Sequence, residues 1–276
     1  MRFTKMQGIG NDYVYIDCTR ESVENPNILA RQISDRHFGV GSDGLVLILP
    51  GNQGDFRMRM FNADGSEAEM CGNASRCVGK YVYERGLTEK EIIRLETGDG
   101  IKTLRLNLKA GKVASVTVDM GAPKLLPGEI PTILEKTKDT QLEVNRSLFN
   151  ITCVNMGNPH SIVFLENVDE FDISYWGPRF EHHTVFPERI NTEFVSVVDK
   201  NHLRMRVWER GAGETMACGT GACAALVAAS ITGKSENYAQ LILNGGNLEI
   251  EWDKKSGHIM MSGPAEFVFE GEWPDL

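Results

Sequence analysis

Two cysteines of this chain, Cys71 and Cys218, are each followed by a glycine and then by a segment with helical periodicity. A helix start has unpaired backbone N–H groups and the positive end of the helix dipole. Such a position is expected to lower the pKa of a thiol and to bind an anion such as a carboxylate. The glycines, Gly72 and Gly219, let that anion approach the backbone closely. Since a thiolate can remove a proton from carbon and a thiol can return one, the pair suits proton transfer.

The chain repeats itself at an offset of 147 residues, and the two Cys-Gly pairs are among the matched positions. Duplication retained for packing alone would explain matched apolar residues, but it explains matched polar ones less well. The repeat indicates two similar domains related by a pseudo-twofold axis. Because domain interfaces are favoured places for small-molecule sites, we predict an active site in an interdomain cleft. The same offset also places Gly10-Asn11 on Gly157-Asn158, Arg57–Asn62 on Arg204–Glu209, Glu67 on Glu214 and Gly98 on Gly245.

Two segments are predicted to be helices that end at a glycine, Asn73–Arg85 before Gly86 and Thr220–Thr232 before Gly233. The second has no charged side chain, so it should be buried on all sides. Short runs of alternating polarity predict strands. These are Asp12–Asp17, Phe56–Phe61, Ile101–Leu108, Ala114–Met120, His160–Leu165, Glu193–Val198, Leu203–Trp208, Leu241–Leu243 and Leu248–Trp252.

The predicted fold class is therefore α+β, with two pseudo-symmetric domains. Each domain is expected to be a mostly antiparallel β-sheet or barrel wrapped around one central α-helix. The predicted domains are residues 1–118, completed by a C-terminal strand at 265–276, and residues 119–264. Arg57, Arg59, Arg204 and Arg206 alternate along strands and are predicted to form a solvated face.

Composition excludes several classes of protein and site. The chain has 38 acidic and 29 basic residues, a formal charge of −9, which disfavours a nucleic acid or an anionic membrane as partner. Neither an apolar leader nor a membrane-length apolar run is evident, so a cytoplasmic location is expected. Six cysteines are few for a disulfide scaffold of this length. The C-x5-C and C-x4-C spacings, without a nearby His, do not suit zinc, and no metal is expected.

The segments around both cysteines resemble the diaminopimelate epimerase family of cofactor-independent, two-cysteine racemases and epimerases. The resemblance runs nearly the whole length of the chain and implies an isomerase that needs no cofactor. It implies that LL- and meso-diaminopimelate are interconverted by proton transfer at the α-carbon between a thiolate and a thiol, in lysine and peptidoglycan precursor biosynthesis. The segments that carry it are Asn62–Arg76, Glu209–Gly221, Gly8–Asp12, Gly157–His160 and Gly263–Ala265.

The resemblance also implies site residues. Cys71 and Cys218 are the two catalytic bases, while Glu209 and His160 support the thiols or the reacting amine. From the residues alone, Glu209 could instead be a surface carboxylate and His160 a core histidine, and an Asn beside Gly is typical of a turn. The implied substrate-binding residues are Asn11, Asn62, Asn158, Asn191, Glu209 and Arg210, with the backbone amides of Gly72, Asn73, Gly219 and Thr220.

The chain departs from the family pattern at three places, one of which is Gly72-Asn73-Ala74, where the family usually has Gly-Asn-Gly after the first cysteine. Ser42-Asp43-Gly44 stands where many members have Phe-Asp-Gln, so Gly44 lacks the side chain with which that Gln contacts substrate. Phe269 stands where some members have a tyrosine at a dimer contact, so a homodimer is expected with the ring but without the hydroxyl.

Other functions stay open at this point. A related two-cysteine racemase for proline, hydroxyproline or another amino acid is one, although Arg210 supplies the cation that a second, distal carboxylate would need. A phenazine-biosynthesis-like isomerase would share the fold but would not be expected to retain both cysteines. A non-catalytic amino-acid-binding protein and a thiol redox module are the remaining alternatives.

Overall fold

The computed structural model describes residues 1–274. Residues 275–276, which the predicted C-terminal strand included, lie outside the described residues. The chain forms two compact units. The first comprises Met1–Asp119 together with the chain from Ser262 onward, and the second comprises Met120–Met261. That these units are domains with the predicted bounds, 1–118 with 265–276 and 119–264, stays a prediction.

Both units combine strands with α-helices, which confirms the predicted α+β class. The first unit contains, in chain order, β1 (Arg2–Gly8), β2 (Asn11–Asp17), α1 (Pro26–Ser34), β3 (Gly44–Pro50), β4 (Phe56–Asn62), β5 (Glu67–Ala68), α2 (Gly72–Glu84), β6 (Ile92–Thr97), β7 (Gly100–Lys109) and β8 (Lys112–Asp119). After a 3-10 turn at Pro127–Glu129 come β9 (Thr140–Val144), β10 (Ser147–Asn155), β11 (Pro159–Phe164), α3 (Ile173–Glu181), β12 (Asn191–Asp199), β13 (His202–Glu209), β14 (Gly213–Thr215), α4 (Gly219–Ile231), β15 (Tyr238–Leu243), β16 (Gly246–Trp252), β17 (Ile259–Gly263) and β18 (Glu266–Glu272).

The two units pair their strands in the same order. In the first, β1 is antiparallel to β2, β2 parallel to β3, β3 antiparallel to β4, β4 parallel to β6 and β6 antiparallel to β7. In the second, the same alternation runs through β10, β11, β12, β13, β15 and β16. The bounds of α2 and α4 differ by the same 147 residues that relate the sequence repeats. The predicted duplication is therefore visible in the structure of each unit.

In each unit the predicted helix packs against the strands, as expected. α2 contacts β1, β2, β7 and β8, and α4 contacts β10, β11, β12, β15 and β16. The uncharged α4 is buried from Gly221 to Ala229, which confirms its predicted burial. Although α2 is not apolar, it is buried too, because its polar side chains find partners. Lys80 Nζ donates to Val113 O at 2.8 Å and pairs with Glu84 at 3.0 Å.

Both helices end at a glycine in the left-handed region, Gly86 with φ 69° and Gly233 with φ 74°. This is the conformation that glycine adopts without a Cβ penalty. Among residues 1–274, no helix has the length and apolar character needed to cross a membrane.

Two further helices, α1 and α3, are absent from the sequence prediction. In α1 the buried face is only Leu29, Ala30 and Ile33 with the flanking Pro26 and Ser34, a stripe too short to stand out. In α3, Gly177 and Pro178 lower the intrinsic helix propensity. Asp172 nevertheless begins α3 by accepting a hydrogen bond from Tyr175 N. Tertiary packing outweighs local propensity in both segments.

The prediction that the alternating arginines form a solvated face is wrong for Arg204 and Arg206. Their side chains are only 20% and 17% exposed. Arg206 donates to the carbonyl oxygens of Val168 at 3.1 Å and Phe171 at 2.9 Å and pairs with Glu214 at 2.8 Å. The guanidinium groups anchor the loop before α3 to β13.

Candidate active site

Cys71 occupies the N-cap position of α2 with an extended backbone, φ −141° and ψ 124°. Its Sγ donates to Asn11 Oδ1 at 3.5 Å, and Asn73 Nδ2 donates to the same oxygen at 3.4 Å. Asn11 lies at the first residue of β2, so the start of a strand and the start of a helix meet at this thiol. Three of the predicted site residues, Cys71, Asn11 and Asn73, are brought together in this way.

Asp43, to which the sequence assigned no role, holds the Asn11 side chain in place by a hydrogen bond. Asp43 Oδ2 accepts from Asn11 Nδ2 at 2.8 Å and from Asp12 N at 3.0 Å. Asp43 Oδ1 accepts from Arg36 at 2.9 Å, and Arg36 also bonds Asp12 at 2.9 Å. Burial raises the pKa of Asp43, and the neighbouring Asp12 carboxylate adds to this, while its hydrogen bonds oppose it.

The departure at Gly44 has a steric cause in this chain. A Cβ at Gly44 would lie 2.0 Å from the carbonyl oxygen of Phe61. No side chain fits at this position on the present backbone. Asn62, another predicted binding residue, lies on the neighbouring β4 and donates from Nδ2 to Ser66 Oγ at 3.0 Å.

Cys218 is the N-cap residue of α4 and is buried, with φ −125° and ψ 115°. Its Sγ accepts from Gly221 N at 3.4 Å and lies 3.5 Å from Thr220 Oγ1. Burial raises the pKa of Cys218 well above its usual range, and the carboxylates of Glu209 and Glu193 raise it further. The two hydrogen-bond donors oppose that shift. The expectation that the helix start lowers this pKa is therefore wrong for Cys218, because burial and like charge outweigh the helix end.

Glu209 is the acidic partner of Cys218. Its carboxylate accepts from Thr215 Oγ1 and hydrogen bonds with the Cys218 thiol. Burial raises the pKa of Glu209, and the charge of Glu193 adds to this effect. A carboxylate with a raised pKa beside a thiol suits the transfer of a proton between them. The alternative of a surface carboxylate is not supported by this geometry.

His160 lies at the second residue of β11, and its side chain is fully buried. Its Nδ1 is 2.7 Å from Glu193 Oε1, and its Nε2 is 2.8 Å from Asn158 Oδ1. Glu193, on the adjacent parallel strand β12, is also fully buried. Its Oε2 has no hydrogen-bond partner among residues 1–274. His160 therefore connects the buried Glu193 carboxylate to Asn158, a predicted binding residue. Glu193 also raises the pKa of Cys218, so His160 is linked to that thiol through Glu193.

Asn191, Glu188 and Glu181 hold the loop after β13 through hydrogen bonds. Asn191 Oδ1 accepts from Arg210 N at 2.9 Å, and Asn191 Nδ2 donates to Pro159 O at 2.8 Å. Arg210 Nη1 donates to Glu188 O at 3.0 Å. The buried Glu181 accepts from Gly211 N at 2.9 Å. These bonds place Arg210 and Asn191 in one cluster.

Three acidic residues that hold the site, Asp43, Glu181 and Glu193, were not identified from the sequence. The available signal was strongest for Glu193, a carboxylate at the start of the predicted strand Glu193–Val198, since buried charges require partners. Burial also raises the pKa of Cys77 to about 11 and that of Cys153 to about 12, and these two cysteines lie inside α2 and β10 rather than at a helix start. Such thiols fill the core.

Comparison with known proteins identifies the family. The family model for diaminopimelate epimerase matches residues 3–126 and 152–268. A diaminopimelate epimerase of Acetivibrio thermocellus is 58% identical over 274 residues, covering 99% of this chain and 98% of that protein. One of Methanococcus maripaludis strain S2 is 56% identical over 274 residues, covering 99% of each chain.

Solved structures support the fold. A phenazine biosynthesis protein of the PhzF family from Bacillus anthracis aligns with a TM-score of 0.72 at 19% identity, covering 100% of this chain and 99% of that chain. A hydroxyproline epimerase of Agrobacterium vitis aligns with a TM-score of 0.69 at 14% identity, covering 98% and 90%. At these identities the likeness shows the α+β architecture alone. The full-length matches at high identity show that the chain belongs to the diaminopimelate epimerase family.

Proposed function

We propose that this protein interconverts LL- and meso-diaminopimelate without a cofactor, using Cys71 and Cys218 as two bases on opposite faces of one α-carbon. The observation that carries the proposal is the duplicated cysteine, placed in each unit as the N-cap of a buried helix. The high identity to proteins named diaminopimelate epimerase gives the substrate.

In this mechanism one sulfur, as thiolate, removes the α-proton, and the other sulfur, as thiol, supplies a proton from the opposite side. Backbone amides at the two helix starts, those of Gly72, Asn73, Gly219 and Thr220, stabilise the negative charge that develops on the α-carboxylate. Glu209 is proposed to support Cys218 by exchanging a proton with it, because the two side chains are hydrogen bonded. The sulfurs exchange roles in the reverse reaction.

The remaining predicted substrate contacts follow from donor chemistry. Arg210 is proposed to bind the distal carboxylate, because its guanidinium can engage both oxygens. Asn11, Asn62, Asn158 and Asn191 can donate to carboxylates or accept from ammonium groups.

The proposed setting is a cytoplasmic homodimer with a small-molecule substrate and without a nucleic acid or membrane partner. Phe269 on β18 is 47% exposed and packs edge-on against Phe3, with ring centroids 6.1 Å apart. This leaves part of an aromatic ring at the surface for a second copy of the chain. Sedimentation would check the dimer, and Phe269→Glu is expected to shift it toward monomer.

The first experiment is incubation of reduced protein with LL-diaminopimelate in D2O, followed by mass spectrometry and chiral chromatography. Deuterium at the α-carbon together with meso product is the expected result, because the returning proton comes from a sulfur that exchanges with solvent. Folded, fully reduced protein that neither exchanges nor inverts the substrate would contradict the proposed function.

Arg210→Met is expected to raise KM for diaminopimelate by about 10- to 100-fold, because a charge-assisted bond to the distal carboxylate is lost. Lysine is diaminopimelate without that carboxylate. Its slow α-deuterium exchange, where measurable, should be unchanged by the substitution. Arg179→Met, on the exposed face of α3, is the matched control and should leave KM unchanged. Unchanged KM for diaminopimelate in Arg210→Met would contradict the assigned role.

A further inference from the structure

The orientation of the Asn11 side-chain amide determines which of its two polar groups faces the Cys71 thiol. An amide presents a carbonyl oxygen that only accepts hydrogen bonds and an NH2 group that only donates them. In this structure the oxygen faces Cys71, and the thiol donates to it at 3.5 Å. A carbonyl oxygen stabilises an S–H group and repels a thiolate, whereas an NH2 group in its place would favour the thiolate.

Asp43 fixes that orientation. An ionised carboxylate only accepts, so Asn11 must turn its NH2 group toward Asp43, at 2.8 Å. Asp43 is itself held, because its second oxygen accepts from Arg36 at 2.9 Å and its first also accepts from Asp12 N at 3.0 Å. Asp12 is further paired with the buried Lys5 at 2.6 Å. The carboxylate is therefore a fixed part of the unit rather than a mobile surface group.

The environment of the second thiol is different. Cys218 Sγ accepts from the backbone N–H of Gly221 at 3.4 Å, and its own thiol hydrogen bonds with Glu209. Glu209 can take up a proton, which an amide carbonyl such as that of Asn11 cannot. The sequence repeat makes the two cysteines equivalent, but their neighbours make them unlike.

We propose that Asp43 is a positioning residue that turns Asn11 so that the amide oxygen stabilises the protonated form of Cys71 in the ligand-free enzyme. This inference rests on the proposed function. In the direction of reaction in which Cys71 is the proton donor, the Cys218 thiolate removes the α-proton of the substrate and holds it as an S–H bond. The S–H bond of Cys71 breaks, its electron pair stays on sulfur, and its proton forms the new C–H bond on the opposite face.

Two further titratable groups near Cys71 do not supply a competing base. Tyr15 on β2 and Cys77 on α2 face the thiol from the unit's interior, and burial raises the pKa of both groups. Both are therefore neutral near pH 7. Around Asp43 the charged groups are Asp12 and Arg36, with Lys5 behind Asp12.

The test measures the alkylation rate of Cys71 by iodoacetamide as a function of pH, without substrate. Cleavage after Arg59 and Arg76 releases Met60–Arg76, in which Cys71 is the single cysteine, so mass spectrometry isolates its rate. Asp43→Ala is expected to make Cys71 react about tenfold faster below its titration midpoint, corresponding to a downward shift of about one pH unit. Asp43→Asn should give a smaller shift in the same direction, because its amide no longer forces one orientation of Asn11.

A double-mutant cycle separates positioning from charge. Removing the negative charge of Asp43 would by itself favour a thiolate, so direction alone does not prove that Asn11 transmits the effect. If Asp43 acts through Asn11, then Asn11→Ala produces a similar shift, and adding Asp43→Ala to it produces no further change. An additive shift in the double variant, or an unchanged rate in Asp43→Ala, would overturn the proposal.

Two controls complete the experiment. Asp55→Ala removes a carboxylate that bonds Lys90 and Arg94 N in the same unit, and it should leave Cys71 alkylation unchanged. Turnover of diaminopimelate is recorded separately. Because alkylation needs no turnover, an inactive wild-type protein would refute the proposed function while the thiol measurement still decides the role of Asp43.

Discussion

Cys71→Ser and Cys218→Ser are each expected to lower the rate of inversion of diaminopimelate by about 10³-fold. A serine hydroxyl at the same place is a far weaker base than a thiolate and returns a proton less readily. Neither variant should unfold, because serine is smaller than cysteine and both positions are N-caps, where serine is favoured. Kinetics in both directions and thermal denaturation check these two statements.

Isotope exchange makes the prediction specific to a two-base mechanism. With one sulfur removed, the remaining sulfur can still take the α-proton from the stereoisomer that faces it and return deuterium to the same side. Each variant is therefore expected to exchange the α-proton of one stereoisomer without inverting it, and the two variants should act on opposite isomers. Exchange of the same isomer by both variants would show that a single base serves both faces.

Cys18→Ser is the matched control for thiol loss. Cys18 is a partly exposed free cysteine of the same unit as Cys71, and burial raises its pKa to about 11. Its replacement should leave inversion and exchange at wild-type rates. A large loss of activity in Cys18→Ser would mean that the effects at Cys71 and Cys218 do not report on their position at helix starts.

Gly221→Ala is expected to lower activity by about 100-fold, because a Cβ at this position would lie 2.4 Å from Glu193 Oε1. Glu193 cannot easily move away, since its side chain is fully buried and bonded to His160. The clash must therefore displace the first turn of α4, and with it Cys218. Overpacking of this kind also costs about 1–3 kcal/mol of unfolding free energy, which urea titration would measure.

Gly79→Ala is the matched control in the repeat-related helix α2. A Cβ there would meet methyl groups of Leu106 at 3.2 Å and Leu104 at 3.3 Å. Side chains of this kind can shift by a few tenths of an ångström, and alanine favours the helix more than glycine does. Activity should stay within about twofold of wild type, within the usual effect of substitutions away from special features.

A second substitution tests the cause of the Gly221→Ala effect. Adding Glu193→Ala should restore part of the lost unfolding free energy, because the colliding carboxylate is gone. Activity should stay low, since His160 loses its partner. If Glu193→Ala instead lowers stability by the same amount in both backgrounds, the clash with Glu193 is not the source of the Gly221→Ala effect.

The amino-acid sequence by itself determined the duplication, the two helix starts and the two cysteines. The predicted bounds of α2 and α4 agree with the structure to within one residue at each end. These features are encoded locally: glycine after a cysteine, helical periodicity, and a glycine that takes a positive φ just past the helix end. Most predicted strands were also found, because alternation of polar and apolar residues along a half-buried strand is likewise a local pattern.

The tertiary structure alone decided how the two equivalent cysteines differ. The Asn11–Asp43 contact joins residues 32 positions apart, and the His160–Glu193 contact joins residues 33 positions apart. Nothing in the local sequence of Cys218 indicates that burial and two carboxylates raise its pKa, against the expected effect of the helix end. Desolvation and charge interactions depend on which distant strands pack around a group, and they therefore exist only once the chain has folded.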